Sequence, residues 1–257
     1  MRIIPATRRR PRARARRIVG LAALIAVGAP VAAEPTAITV RVIARDAKFI
    51  GTSMGGVRVT LREVETGQML AQGVTAGGTG DTPRIMQASG RNPNRAGDGD
   101  AAFAATLDIA RPTLVELEAE GPLGFPGSML RVTERRWLLP GEPVTQGEGW
   151  TVELPGLVIS PEAQAAGGKA AIRAKVQLMC GCPITPGGVW DAADYQVTAT
   201  LWEAGKRVAA APLTFTTAPG GYGGEIALPG KGPYRLGLFA LNRRTGNSGF
   251  TELTIAQ

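Results

Sequence analysis

Hydrophobic and polar residues alternate along short segments of the chain, and this period of two predicts β-strands. Gly, Pro and Asn separate the segments, as expected of turns between strands. No segment carries apolar residues at helical spacing over several turns, so little helix is expected. The predicted strands are Thr36–Ala44, Val57–Val64, Met69–Val74, Phe103–Ile109, Thr113–Ala119, Met129–Leu138, Trp150–Ile159, Ala171–Met179, Tyr195–Glu203, Lys206–Thr217, Glu225–Leu228, Tyr234–Leu241 and Gly249–Ile255.

The spacing of these strands predicts an all-β fold with two β-sandwich modules in tandem. The first module is predicted over 34–159 and the second over 169–257. Between them, 160–168 is rich in Ala, Gly and Gln and contains a proline, a composition that predicts a linker. About seven strands fall within the second segment, which suits a small sandwich.

The first 33 residues have the pattern of an export signal. Eight arginines and no acidic residue lie between Arg2 and Arg17, and an apolar run from Ile18 to Ala29 follows. Small residues at Val31-Ala32-Ala33 predict cleavage before Glu34. The apolar run is short for a membrane span, and no other run approaches that length. A periplasmic or secreted protein without a membrane span is therefore predicted.

Loss of this segment changes the charge of the protein. The whole chain has 29 Lys and Arg against 21 Asp and Glu, a net charge of +8. The eight arginines of the export signal account for all of that excess, so the exported chain is formally neutral. Nucleic-acid binding needs a persistent basic field. The sequence therefore argues against a nucleic-acid partner and against a basic membrane-surface role.

Two connections in the first module are unusually long or rich in glycine. The insertion over 75–100 is a long loop, of the kind that is functional or flexible. The connection over 46–56 contains Lys48 and Phe49 beside several glycines. These two residues could line a contact surface for a partner protein. Alternatively, Phe49 caps the hydrophobic core, which is the more common fate of a single aromatic residue.

The segment Met179-Cys180-Gly181-Cys182-Pro183 contains both cysteines of the protein. Three interpretations compete for it. A local disulfide is the default for paired cysteines in an oxidising compartment, and a reducible thiol–disulfide pair is the second possibility. The third is a soft-metal site for copper(I), in which Cys180 and Cys182 share one face of a strand and Met179 joins them if the strand bulges. The sulfurs are expected at the end of the second sandwich, partly exposed beside the loop over 186–190.

Trp190 follows the cysteines across a turn-rich loop. It either packs over the cysteines and closes the end of the sandwich, or it forms an anchor for a partner protein. Exposed tryptophans often contribute strongly to interfaces, whereas buried ones stabilise cores. Packing is the favoured interpretation, and Trp190 stays a candidate partner contact together with Lys48 and Phe49.

Histidine is absent from the whole chain. No catalytic unit that uses a histidine base can be assembled, and no imidazole is present to bind a metal. Four Trp, three Tyr and six Phe are spread over the chain, so no sugar-stacking surface is evident. The sequence therefore predicts a protein that is not an enzyme.

Two resemblances to known families follow from these segments. Residues 38–110 resemble a carboxypeptidase-regulatory-like, transthyretin-type domain, through an opening strand, the run Gly56–Val64, a Thr-Gly turn and the strand Ala101–Ile109. Residues 170–257 resemble bacterial immunoglobulin-like modules, through Gly232–Leu236 and the turn Thr245–Gly249. The two cysteines are too close in sequence for the inter-sheet disulfide of antibody domains. The resemblances imply a binding, adaptor or spacer role and no catalytic residues.

Two function hypotheses result. The first is an exported, non-enzymatic accessory or adaptor protein that binds another periplasmic protein. The second is a periplasmic copper(I)-handling protein that uses Cys180, Cys182 and Met179. The state of the two thiols and the metal content of the purified protein distinguish the hypotheses, because a closed disulfide without metal favours the first.

Overall fold

The computed structural model describes residues 32–90 and 94–256. The predicted export signal over 1–33 lies outside the described residues, apart from Ala32 and Ala33. The predicted all-β fold class is confirmed, because β-strands make up most of the described chain. The strands are β1 Glu34–Ala44, β2 Arg58–Glu63, β3 Met69–Val74, β4 Phe103–Ile109, β5 Thr113–Gly121, β6 Leu130–Leu138, β7 Trp150–Leu154, β8 Leu157–Ala166, β9 Lys169–Leu178, β10 Tyr195–Glu203, β11 Lys206–Phe215, β12 Gly221–Ala227, β13 Tyr234–Asn242 and β14 Ser248–Ile255.

The first seven strands form two sheets. One sheet has the order β3-β2-β5-β6, and the other has the order β4-β1-β7. Buried side chains from both sheets, such as Val40 and Val42 of β1 and Leu61 and Leu117 of the four-stranded sheet, belong to one hydrophobic core. This arrangement follows from the period-two pattern, because alternate side chains of each strand point to the same face.

The remaining strands form one seven-stranded sheet in the order β14-β13-β10-β11-β12-β9-β8. Its two edge strands approach each other closely. A Cβ atom on Gly249 of β14 would lie only 2.4 Å from the carbonyl oxygen of Leu157 in β8. The sheet therefore curls until it is nearly closed around buried residues such as Val176, Leu201 and Leu236.

The segment predicted as a linker, 160–168, is placed differently by the structure. Residues 160–166 belong to β8, which pairs antiparallel with β9 from Leu157–Leu178 to Ala166–Lys169. Pro161 fits here because β8 is an edge strand, where a missing N–H is tolerated. The predicted strand Trp150–Ile159 is divided into β7 and β8 at Gly156, whose φ of 122° interrupts the extended backbone. The described residues from Ala32 onwards form one compact unit.

Two buried side chains join the turn after β1 to the C-terminal sheet. Asn247 receives a hydrogen bond of 2.8 Å from Gly156 N and donates to the carbonyl oxygens of Arg45 and Gly156 at 3.3 and 3.2 Å. The indole Nε1 of Trp190 donates a hydrogen bond of 2.8 Å to the carbonyl oxygen of Asp46. The two bonds between Asn247 and Gly156 are buried and the bonds to Arg45 and Asp46 are partly buried, so the turn at residues 45–46 is held on both sides.

Candidate functional site

The two cysteines form a disulfide in a turn directly after β9. Their Cα atoms are 5.4 Å apart. Gly181 between them adopts a left-handed φ of 79°, which a residue with a side chain rarely adopts, and its N–H donates to the carbonyl oxygen of Leu178 at 2.8 Å. The structure thus presents the first of the three interpretations of this motif, the local disulfide.

The expectation that these sulfurs are partly exposed is wrong. Cys180 is 2% and Cys182 is 6% exposed, and Met179 is fully buried. Met54, from the 3₁₀ turn Thr52–Met54 between β1 and β2, covers the disulfide loop: a Cβ atom on Gly181 would lie 2.7 Å from its Sδ atom. Met179 packs instead towards Gly156. The sequence pattern places the loop at a free end of the sheet and carries no signal that Met54 covers it.

Trp190 lies in the core, with 8% of its surface exposed. Its ring is held by the hydrogen bond to Asp46 described above. The loop around it is closed by Asp191, whose carboxylate accepts hydrogen bonds from the N–H groups of Ala193 and Gly187. These bonds to the charged form hold the pKa of Asp191 below its usual range. Trp190 is therefore a packing residue and has little surface to offer a partner.

Lys48 and Phe49 attach the insertion over 75–100 to the body of the protein. Phe49 is fully buried and packs with Ile43, Ile85 and Ala101 in a small separate hydrophobic cluster. Lys48 donates from Nζ to the carbonyl oxygen of Gly80 at 3.0 Å. Phe49 is consequently not available as a contact residue.

The described parts of the insertion, 75–90 and 94–100, contain regular structure and charged contacts. It contains the short helix α1, Thr82–Met86, which begins after Asp81, whose carboxylate accepts a hydrogen bond of 2.8 Å from the N–H of Arg84. Arg95 binds both carboxylate oxygens of Glu148 at 2.9 and 2.7 Å. Burial would raise the pKa of Glu148, but the hydrogen bonds and charge of Arg95 outweigh that effect and hold the pKa below its usual range.

An exposed groove that no sequence motif indicated lies where the turn before β6 meets strands β13 and β14. We call it the aromatic groove, and its volume is about 340 Å³. Phe239 and Phe250 form one wall as a cross-strand pair and are 42% and 49% exposed. Such exposure is unusual for large aromatic side chains and marks interaction surfaces. The lining residues are Gly127, Ser128, Met129, Leu130, Leu157, Phe239, Ser248, Gly249 and Phe250.

The aromatic surface extends along the sheet to Trp202 because Gly237 lacks a side chain. A Cβ atom at Gly237 would lie 2.6 Å from Cζ3 of Trp202 and 2.8 Å from Cε2 of Phe250, so both rings extend over this residue. Arg235 and Glu252 form an ion pair at the margin. Three of the aromatic residues that are dispersed in the sequence are therefore brought together on one exposed face.

The opposite wall of the groove is held by Ser128. This residue is buried, and its Oγ accepts a hydrogen bond of 3.1 Å from the N–H of Ile159 at the start of β8. The bond fixes the 3₁₀ turn Pro126–Ser128, which carries Met129 and Leu130 beside the aromatic wall. Since one wall consists of two paired strands and the other is tied to β8 by this bond, the groove is preformed, as binding sites usually are.

A second concave surface, of about 680 Å³, crosses the outer face of β8, β9 and β12. Arg173 and Lys175 of β9 stand beside Glu162 of β8, and Gly221 and Gly223 of β12 form the floor. The nearby hydroxyl of Tyr222 is buried with no hydrogen-bond partner among residues 32–90 and 94–256. Burial raises the pKa of Tyr222 to about 12, because the charged phenolate is unfavourable away from water.

The described residues contain no group of three or more Cys, Asp or Glu side chains close enough to hold a metal ion. In the same part of the chain, no helix has the length and apolar character needed to cross a membrane.

No protein-family model and no curated protein sequence matches the chain. Among solved structures, the chain matches a protein described as a "putative carbohydrate binding protein" from Bacteroides uniformis. The two chains are 9% identical with a TM-score of 0.29, and the match covers 86% of this chain and 99% of that one. A likeness at this level carries no conclusion about ligand or activity.

Proposed function

We propose that this protein is an exported, non-enzymatic binding protein that holds a segment of another protein in the aromatic groove. The observation that carries the proposal is the exposure of Phe239 and Phe250 on a wall of a preformed groove. Apolar side chains that stay exposed in the free protein are buried when a partner binds, and aromatic residues dominate such contacts.

The chemistry of the groove favours a protein segment as the ligand. Met129 and Leu130 face the aromatic wall, so both sides are mainly apolar. Methionine has a flexible side chain that adapts to the apolar side chains of a partner. The ion pair between Arg235 and Glu252 lies at the margin, as expected of a polar rim around an apolar centre.

Export and the division into two modules complete the proposal. The arginine-rich segment and the apolar run after it support removal of residues 1–33 and a periplasmic or secreted location. The two groups of sheets, before and after Gly156, support an origin in two sandwich modules, of the transthyretin and immunoglobulin types. The groove then lies where elements of both modules meet.

Substitution of both aromatic residues tests the groove. We expect Phe239→Ser with Phe250→Ser to abolish capture of the partner by the immobilised protein from an extract of exported proteins, as measured by quantitative mass spectrometry. Met69→Ser is the matched control, because Met69 is 51% exposed on β3 and lies outside the groove. The captured protein is then purified and its affinity measured by calorimetry, with at least a tenfold loss expected for the double variant, in line with the loss of interface anchors.

The proposal would be contradicted if the double variant captured the same partner protein as wild type in equal amounts. Retention of a glycan, rather than a protein, by wild type alone on a glycan array would also contradict it, because aromatic rings also stack on sugars.

The alternative function, copper(I) handling, requires the disulfide to open first. One observation supports it: the side chain of Met54 packs on the disulfide loop with its Sδ atom beside Gly181, and soft sulfur donors select copper(I). Copper(I) handling therefore depends on the reduced state of Cys180 and Cys182.

A copper(I) titration against a chromophoric chelator separates the two functions. We expect the protein in its disulfide form and the variant Cys180→Ala with Cys182→Ala to compete for copper(I) equally weakly. The variant should lose only about 1–2 kcal/mol of stability, since the disulfide closes a very short loop. If the reduced wild type takes up one copper(I) ion that the variant does not, the copper hypothesis is supported.

A further inference from the structure

Strand β6, Leu130–Leu138, is a long free edge. The sheet order is β3-β2-β5-β6, and among the described residues β6 pairs with β5 alone. The backbone N–H and C=O groups on its outer side are therefore open to another strand. Edges of this length are usually covered or blocked, because they can pair with a second chain.

Two charged side chains of this edge, Glu134 and Arg136, have no partners of their own in the described part of the chain. Glu134 and Arg136 stand opposite Leu117 and Val115 of β5, on the side of the sheet that faces the core, yet both are exposed. Within residues 32–90 and 94–256, neither forms an ion pair or a side-chain hydrogen bond. Trp137, one residue further, is 64% exposed.

We propose that β6 pairs antiparallel with β6 of a second copy of this chain, about a two-fold axis at Arg135. In this register Glu134 lies opposite the partner's Arg136, and Arg136 lies opposite the partner's Glu134. Symmetry thus produces two opposite-charge pairs from one sequence, and directly opposite charges on neighbouring strands stabilise a sheet. On the same face, Val132 lies opposite the partner's Leu138.

Neighbouring registers are disfavoured by charge. Sliding the second copy by two residues places Glu134 opposite the partner's Glu134 in one direction, and Arg136 opposite the partner's Arg136 in the other. Like charges directly opposite each other destabilise strand pairing. A slip of one residue would turn every side chain to the wrong face. The sequence of β6 therefore selects one register.

The outer face of the edge is compatible with this register. Arg135 lies opposite the partner's Arg135, but each guanidinium is bound by Glu116 of its own chain at 2.7 Å, which reduces their repulsion. Trp137 lies opposite the partner's Thr133 and loses part of its exposed surface. The proposed dimer contact lies on the four-stranded sheet. The aromatic wall of the groove, Phe239 and Phe250, lies on the seven-stranded sheet.

Charge reversal at Glu134 and Arg136 tests the proposal. We expect the purified wild-type protein to form dimers over a micromolar to millimolar concentration series in sedimentation velocity. Glu134→Arg and Arg136→Glu should each raise the dimer dissociation constant about tenfold or more, because each creates two like-charge contacts. The double variant E134R/R136E should restore dimerisation, since it exchanges the charges and keeps the pairs.

The same variants show whether the dimer contact lies at β6. Both side chains are exposed and without partners, so circular dichroism and thermal unfolding of the single variants should match wild type. A wild-type protein that stays monomeric throughout the series would overturn the proposal. Equal dimerisation of wild type and both single variants would place the contact elsewhere, and failure of the double variant to dimerise would exclude the proposed register.

Discussion

We expect Asn247→Ala to lower the free energy of unfolding by about 3 kcal/mol, because it leaves several buried backbone groups without partners. The side chain is 1% exposed. It accepts a hydrogen bond from the N–H of Gly156 and donates to the carbonyl oxygens of Arg45 and Gly156. Alanine can replace none of these bonds, and water has little access to the site.

Urea denaturation followed by tryptophan fluorescence measures this loss. Asn94→Ala is the matched control, since Asn94 is exposed and its side chain accepts one local hydrogen bond of 3.3 Å from Ala96. Its effect should stay within about 0.5 kcal/mol, as for surface substitutions generally. Equal stability of the two variants would show that Asn247 does not hold the turn after β1.

The second large effect is expected at Trp190. Trp190→Ala should lower the free energy of unfolding by about 4 kcal/mol, through lost burial and the cavity that remains. Trp190→Phe keeps much of the ring volume and removes the donor to Asp46. It should cost about 1–2 kcal/mol, because the half-buried carbonyl of Asp46 loses its hydrogen-bond partner.

The neighbouring Val189 provides the control for this pair. It is 46% exposed in the same loop, so Val189→Ala should change stability by less than about 0.5 kcal/mol. Stabilities are measured by the same denaturation, at protein concentrations low enough to keep the chain monomeric. A loss at Trp190→Ala no larger than at Val189→Ala would mean that Trp190 is a surface residue, as the partner-contact interpretation required.

Several strands could be predicted closely because their pattern is local. The bounds Met69–Val74, Phe103–Ile109 and Tyr195–Glu203 agree with β3, β4 and β10. In each of these segments the residue types favour extended backbone or turn residues mark the ends. Neither property depends on which strand lies alongside.

Other elements could not be predicted because their cause is remote in sequence. Residues 160–166 have the composition of a loop but form a strand by pairing with β9. The start of β12 is rich in glycine, and pairing of Gly221–Ala227 with Lys169–Lys175 makes it a strand. In such segments the neighbouring strand supplies the hydrogen bonds and packing that the residues themselves do not favour.

The cysteine loop and the groove show the same division. Two cysteines separated by one residue favour a local disulfide, whereas the burial of that disulfide depends on Met54, more than a hundred positions earlier in the chain. Likewise, the groove forms because the strand register places Phe239 beside Phe250 and because the turn before β6 places Leu130 next to them. The spacing of these residues along the chain does not predict that they are neighbours.

Local alternation and turn residues were thus sufficient to predict the all-β class and most strand positions. The pairing order of the strands, the burial of Trp190 and Phe49 and the assembly of the aromatic groove came from the folded structure. The physical reason is the sequence separation of the interacting residues. Alternation and turn formation depend on residues that are only a few positions apart. The burial of a side chain and the grouping of aromatic residues on the surface depend on contacts between segments that are distant in sequence. These contacts are seen only in the folded structure.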